Sequence, residues 1–400
     1  MLGTEVVQPR DPLAIVNARA VLVDRIQDDL AVVVDGPTIV AIIDRESLGS
    51  NVDTLDAEGR YLAPGLIDIH THGAVGSSFN SATPGAFRAI TEENVRRGVT
   101  GLLATTSTAP LPELVASLEL SREWARADHE GARVLGAHVE GPYFAPSQAG
   151  AQDPDAMRTP DDGSLDELLA YQDVIRIVSF APELRGGVDL ARRLSGLGIV
   201  AAAGHSAARA EDVDIAVQAG LSHVIHIWSG QSTTVREGPW RKPGLLEFTL
   251  ANDVVTVEMI ADNKHLPALL MKLAYKCVGP DRLCIISDAT NGAGLPEGTR
   301  FSTGGLHEHE VCDGVGMTRD RTSFAGSTTL LNEMIPIMRD VVGVPLHEAV
   351  RMATANPARV IGLEGRKGSI AVGSHADLAL FEDDFEAWRT MIGGRWAFAR

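Results

Sequence analysis

Between about Leu62 and Leu363 the chain alternates short, unbroken apolar runs with longer stretches whose apolar residues recur every three or four positions. The unbroken runs are GLIDI, VTGLLATT, ARVLGAHVEG, VIRIVSFAPE, GIVAAAGHS, HVIHIW, VVTVEMIAD and LCIISDAT. Amphipathic segments lie between them at Pro112 to Ala127, Leu165 to Tyr171, Asp189 to Leu197 and Ala210 to Ala219. A strand covered by helices on both faces reads as a continuous apolar run, so eight such units predict an α/β fold, a (β/α)8 barrel of the TIM type. The two ends of the chain have another rhythm. From about Ala14 to Leu48, and again in Gly368-Ser-Ile-Ala-Val-Gly, His375-Ala-Asp-Leu-Ala-Leu-Phe381 and Met391-Ile-Gly-Gly-Arg-Trp, short β-rich runs are bounded by Gly or Asp. The expectation is a small β-sandwich domain formed from both termini (1–62 and 364–400), interrupted by the barrel (63–363).

Composition narrows the class. With 400 residues, 44% of them hydrophobic, and 40 Gly and 20 Pro, the chain reads as a loop-rich soluble enzyme. Its 53 acidic against 35 basic residues give a net charge of −18. That balance argues against nucleic acid or an anionic membrane as partner and leaves a small-molecule substrate. An anionic substrate would need a local cationic pocket. Cys277, Cys284 and Cys312 form no CxxC pair and are too few for a disulfide framework, which points to a reducing, cytoplasmic setting. The opening MLGTEVVQPRDP has neither a basic nor an apolar leader region, and no run of 18 apolar residues predicts a membrane-spanning helix.

Candidate chemistry gathers where the apolar runs stop. The stretch Tyr61 to Gly73 ends in His70 and His72, and residues two apart on a strand face the same way, so both imidazoles can reach one point. Glu140 in His138-Val-Glu-Gly-Pro142, His205 in Ala203-Gly-His-Ser206, His226 in His223-Val-Ile-His226 and Asp288 in Ile285-Ile-Ser-Asp-Ala-Thr290 each close a further run. Singly, each has an ordinary reading as a loop histidine, an ion-pair partner or a helix cap. Together they fall on one face, because the C-terminal strand ends of a barrel converge. Imidazoles and a carboxylate hold Zn²⁺ or a similar divalent ion with an open position for water, whose pKa the ion lowers to about 7. An Asp that is not a strong ligand can take up the water's proton and pass it to a leaving amine. His138, two residues before Glu140, is a candidate supporting residue.

These motifs resemble the amidohydrolase superfamily, and within it the N-acetylglucosamine-6-phosphate deacetylase family. Pro64-Gly-Leu-Ile-Asp-Ile-His-Thr-His-Gly73, Glu140-Gly-Pro, Gly204-His-Ser, His226 and Ser287-Asp-Ala-Thr290 carry the resemblance. It extends through Phe324-Ala-Gly-Ser-Thr328 and Ala353-Thr-Ala-Asn-Pro-Ala358 to the closing Gly368-to-Leu378 segment. It implies a main metal on Glu140, His205 and His226, a second supported by His70 and His72, and Asp288 as general base and acid. One or two ions fit, with Zn²⁺ expected and Fe²⁺, Mn²⁺ or Co²⁺ also compatible. His265 matches the histidine that contacts the substrate's acetamide. Arg241 matches the arginine that reaches the sugar phosphate of a neighbouring subunit, which implies a homodimer.

The substrate end departs from the family pattern. After the sixth-run histidine the family reads Leu-Phe-Asn-Ala-Met, whereas here the chain continues Ile-Trp228-Ser229-Gly-Gln231. Where the family places a histidine near the phosphate, the chain has Gly150-Ala-Gln152, and Gln carries no charge. Specificity rests on matched buried polar partners, so these changes open a second reading: an unphosphorylated N-acyl sugar, an N-acyl amino acid or a cyclic amide as substrate. A third reading is a non-catalytic sugar-binding homologue.

Overall fold

Eight parallel strands form the centre of the molecule, and a computed structural model describes residues 8, 12–303 and 307–400. The strands are Leu66–Thr71, Val99–Thr106, Arg133–Glu140, Ile175–Phe180, Val200–Ala203, Leu221–Val224, Thr256–Ile260 and Leu283–Ile286, each paired with the next. Every residue of the first two is buried, as their continuous apolar runs require. The first and eighth strands are joined just past their ends, where Asp288 N–H donates to His70 O at 2.9 Å and His72 N–H to Ala289 O at 2.8 Å. Helices Leu111–Arg126, Leu165–Leu169, Gly187–Gly196 and Ala210–Gln218 fall within two residues of the amphipathic segments at every boundary.

The sixth strand stops earlier than its apolar run. It ends at Val224, and the chain then turns, with His226 at φ 20° and Trp228 at φ 74°. Ile225 and Ile227 stay fully buried in that turn, so the run remains apolar although it has ceased to be strand. Three antiparallel pieces have no counterpart in the sequence reading, the smallest pairing Gly73–Ala74 with Ser77–Ser78. A ribbon pairs Val235–Glu237 with Trp240–Lys242, and a four-stranded sheet comprises Arg300–Thr303, His307–Cys312, Val315–Thr318 and Phe324–Ser327. The turn Asp313-Gly314, both residues at positive φ, is a strong hairpin signal inside the larger insert.

The terminal strands build one eight-stranded sheet. Its seam is the antiparallel pairing of Tyr61–Pro64 with Leu378–Phe381, which brings the two ends of the chain into one ladder. Leu13, Val32, Val34 and Ile39 share an apolar cluster with Leu378, Met391 and Trp396. Phe381, Phe385 and Ile392 pack instead into the barrel core and so hold the two parts together. The turn at Gly394 is packed against the turn at Gly36, where any Cβ on Gly394 would overlap the Gly36 carbonyl oxygen, and its φ of 79° is left-handed. Gly394→Ala should therefore lower the unfolding free energy by about 2–3 kcal/mol. Gly373→Ala, at φ 91° but with open space around it, should cost only about 1 kcal/mol. Urea unfolding of the two variants checks the difference.

Candidate metal centre

The C-terminal strand ends bring together the residues singled out above. Glu140 is the last residue of the third strand and is 1% exposed. Its Oε1 lies 2.9 Å from His226 Nε2, 3.3 Å from His205 Nε2 and 3.5 Å from His70 Nε2, and its Oε2 lies 3.4 Å from His72 Nε2. Asp288 Oδ1 is 3.2 Å from His72 Nε2 and 3.6 Å from His70 Nε2. Ligand atoms of Glu140, His205 and His226 all lie within 4.8 Å of one another, and so do those of His70, His72 and Glu140.

Each imidazole is held by its other nitrogen. His205 Nδ1 donates to Gln148 O at 2.8 Å and His226 Nδ1 to Ser229 O at 3.2 Å. A carbonyl only accepts, so Nδ1 carries a proton and Nε2 is the nitrogen turned toward Glu140. His72 Nδ1 is 3.1 Å from Ser107 Oγ, and His70 Nδ1 is 2.7 Å from Glu258 Oε2. His205 and Asp288 have φ of 41° and 46°, left-handed conformations that cost a non-glycine residue about 1–2 kcal/mol and persist where packing imposes them.

The donor set fits a divalent cation. His70 Nε2 is buried without a hydrogen-bond partner and faces the carboxylates of Glu140 and Asp288. Burial alone would raise the pKa of Glu140, but His70 and the hydrogen bonds of His205 and His226 hold it well below the usual carboxylate range. Asp288 is likewise lowered against burial, by its bond to His72 and the charge on His70. For His70, burial opposes the charged form, yet Glu258 and Glu140 push its pKa well up. These residues thus form a buried cluster of imidazoles and carboxylates whose ligand atoms lie close enough to share a cation.

His138 supports the site from behind. Its Nδ1 lies 3.0 Å from Ile69 O and its Nε2 2.6 Å from Ser179 Oγ, while its ring packs edge-on against His70 with centroids 4.5 Å apart. Burial and the neighbouring His70 lower its pKa to about 3, so it stays neutral.

The centre opens into a cavity of about 220 Å³ whose walls include His265, Ser229, Gln152, Thr290 and Phe324. His265 Nδ1 is 2.6 Å from Asp262 Oδ2, and the same oxygen accepts from Ser327 Oγ at 3.0 Å, so the His265 ring is fixed in the wall. Gln152 does not stand free for substrate. Its amide donates to Glu140 Oε2, and its Oε1 accepts the Thr108 N–H at 2.7 Å. Trp228 is packed against the core and does not line the cavity. Arg241 is exposed on the ribbon, donates to Pro239 O at 2.9 Å and does not line its own chain's cavity. The sequence reading missed Glu258, although a carboxylate inside the apolar run VVTVEMIAD is a visible signal, since a charge is almost never fully buried without a partner.

Comparison with known proteins agrees with this geometry. Residues 61–397 match the model of the amidohydrolase family. The N-acetylglucosamine-6-phosphate deacetylase of Vibrio furnissii is 32% identical over 93% of this chain and 92% of its own. The N-acetylgalactosamine-6-phosphate deacetylase of Escherichia coli O157:H7 is 31% identical over 96% and 99%. Among solved structures, the N-acetylglucosamine-6-phosphate deacetylase of Pasteurella multocida superposes with a TM-score of 0.90 at 29% identity over 97% of this chain and all of its own. A Mycobacterium smegmatis deacetylase, solved in complex with N-acetyl-D-glucosamine-6-phosphate, gives 0.88 at 27% identity over the same shares. With the strand-end ligands in place and the match extending over both the barrel and the terminal sheet, the chain belongs to the amidohydrolase superfamily and, within it, to the N-acetylglucosamine-6-phosphate deacetylase family.

Proposed function

We propose that this protein is a metal-dependent amide hydrolase that removes the acetyl group from an N-acetyl amino-sugar phosphate, with N-acetylglucosamine 6-phosphate as first substrate. The observation that carries the reading is the meeting of Glu140, His205 and His226 beside an ionised Asp288 at the floor of a cavity. Glu140, His205 and His226 would hold a divalent ion, Zn²⁺ in this proposal, which when bound would supply activation of water and polarisation of the amide carbonyl. Asp288 receives the proton of the attacking water and delivers it to the departing amine, so that amide and water become acetate and free amine. His265, held by Asp262, hydrogen-bonds the acetamide. Arg241 on its exposed ribbon serves the phosphate of the other subunit in a homodimer, supplying the cation that the net charge of −18 makes necessary. A cytoplasmic location accords with the three free cysteines, and among the described residues no helix is long and apolar enough to cross a membrane.

One observation favours an altered substrate end: Gln152 is spent on the Glu140 carboxylate and on Thr108. Acetate release should be measured side by side on N-acetylglucosamine 6-phosphate, its C4 epimer N-acetylgalactosamine 6-phosphate, and unphosphorylated N-acetylglucosamine. The proposal expects the phosphorylated sugars to be preferred by tenfold or more in kcat/KM, about 1.4 kcal/mol of transition-state binding. Equal rates with and without the phosphate would favour an unphosphorylated substrate, and no release from any of the three would remove the substrate assignment. Asp288→Asn should lower kcat by about 10²–10⁴-fold while metal analysis still finds the bound ion. Chelation should lower Tm, and restoring 100 Kd of the ion should return about 2.7 kcal/mol of stability by mass action, read by scanning calorimetry.

A further inference from the structure

Glu258 lies in the seventh barrel strand and its side chain is fully buried. Both of its oxygens are engaged. Oε2 is 2.7 Å from His70 Nδ1 and accepts the backbone N–H of His226 at 3.3 Å. Oε1 is 3.1 Å from His223 Nε2, and His223 is anchored in turn through Nδ1 to Thr256 Oγ1 at 2.6 Å. The path Thr256–His223–Glu258–His70 thus runs from the wall of the barrel to the centre, each group fixed by the one behind it.

The four imidazoles facing Glu140 are not backed alike. His72 leans on a hydroxyl, and His205 and His226 on backbone carbonyls, whereas His70 alone leans on a carboxylate. A carboxylate behind an imidazole fixes its tautomer and makes the far nitrogen a stronger donor. That far nitrogen, His70 Nε2, is the buried one without a hydrogen-bond partner. Burying a carboxylate in an apolar strand costs several kcal/mol unless it is paired, and the pairs found here all point to His70 or hold Glu258 in place.

We propose that Glu258 is a positioning residue which, through His70, sets the affinity of the cation position formed by His70, His72 and Glu140, and bears less on the position formed by Glu140, His205 and His226, where it reaches only the backbone N–H of His226. The inference rests on the metal-hydrolase reading above but concerns occupancy, not turnover. The test uses full-length wild type, Glu258→Gln and His223→Gln, stripped and titrated with Zn²⁺ and with Mn²⁺ by calorimetry, with metal content after dialysis counted by mass spectrometry. Wild type should hold two ions. Glu258→Gln should lose one, with the dissociation constant of that position raised about 10–100-fold and the other raised by less. His223→Gln, which keeps the carboxylate but loosens it, should show a smaller rise at the same position. If Glu258→Gln fails to fold by circular dichroism, His223→Gln decides alone. Two ions bound with unchanged affinity in the deciding variant, or a wild type holding a single ion that this variant retains, would overturn the assignment to Glu258. A wild type that binds neither metal would instead overturn the function proposed above.

Discussion

The carboxylate of Glu140, buried where four imidazoles converge, is the constraint around which the rest of the molecule is arranged. A carboxylate removed from water costs several kcal/mol unless opposite charge and hydrogen bonds replace the lost hydration. Here the replacements come from the first, fifth and sixth units of the barrel, so the price is met only when the barrel is closed. Closure in turn depends on the bonds from Asp288 and His72 that join the first and last strands, and these are made by the site residues themselves. Asp68 adds to the same joint, accepting from the backbone N–H of His70 at 3.2 Å and of Ser287 at 3.3 Å. Assembly of the barrel and assembly of the site are therefore one event.

The barrel was legible in the sequence because burial on both faces leaves an unbroken apolar run, and the site was legible because its residues stand where those runs stop. Where the two signals separate, the reading slips. His226 follows an apolar run that is strand only to Val224, since the buried turn beneath the site needs apolar residues as much as a strand does. The four-stranded insert was not legible because its strands lie at the surface, with Glu308 and Phe324 exposed, and show no clean alternation. Glu258 was hidden for the opposite reason: within an apolar run it reads as a blemish until its partners are known.

The substrate side carries the chain's own character. Gln152 ties the Glu140 carboxylate to the backbone at Thr108, a bracing role in place of the charged contact that the family pattern suggests. Across the cavity, Ser327 from the insert holds Asp262, and Asp262 holds His265. The barrel thus supplies the cluster around Glu140, and an excursion after its last strand supplies part of the cavity wall, at Ser323 to Gly326.

The seam of the terminal sheet joins Tyr61–Pro64 to Leu378–Phe381 across more than 300 residues of chain. During synthesis the early strand emerges long before its partner, and at ordinary elongation rates the gap is roughly 15–60 s. Throughout that interval one edge of the nascent sheet lacks its neighbour, an open edge on which strangers can pair. Its exposure on the ribosome ends only when Leu378–Phe381 emerges.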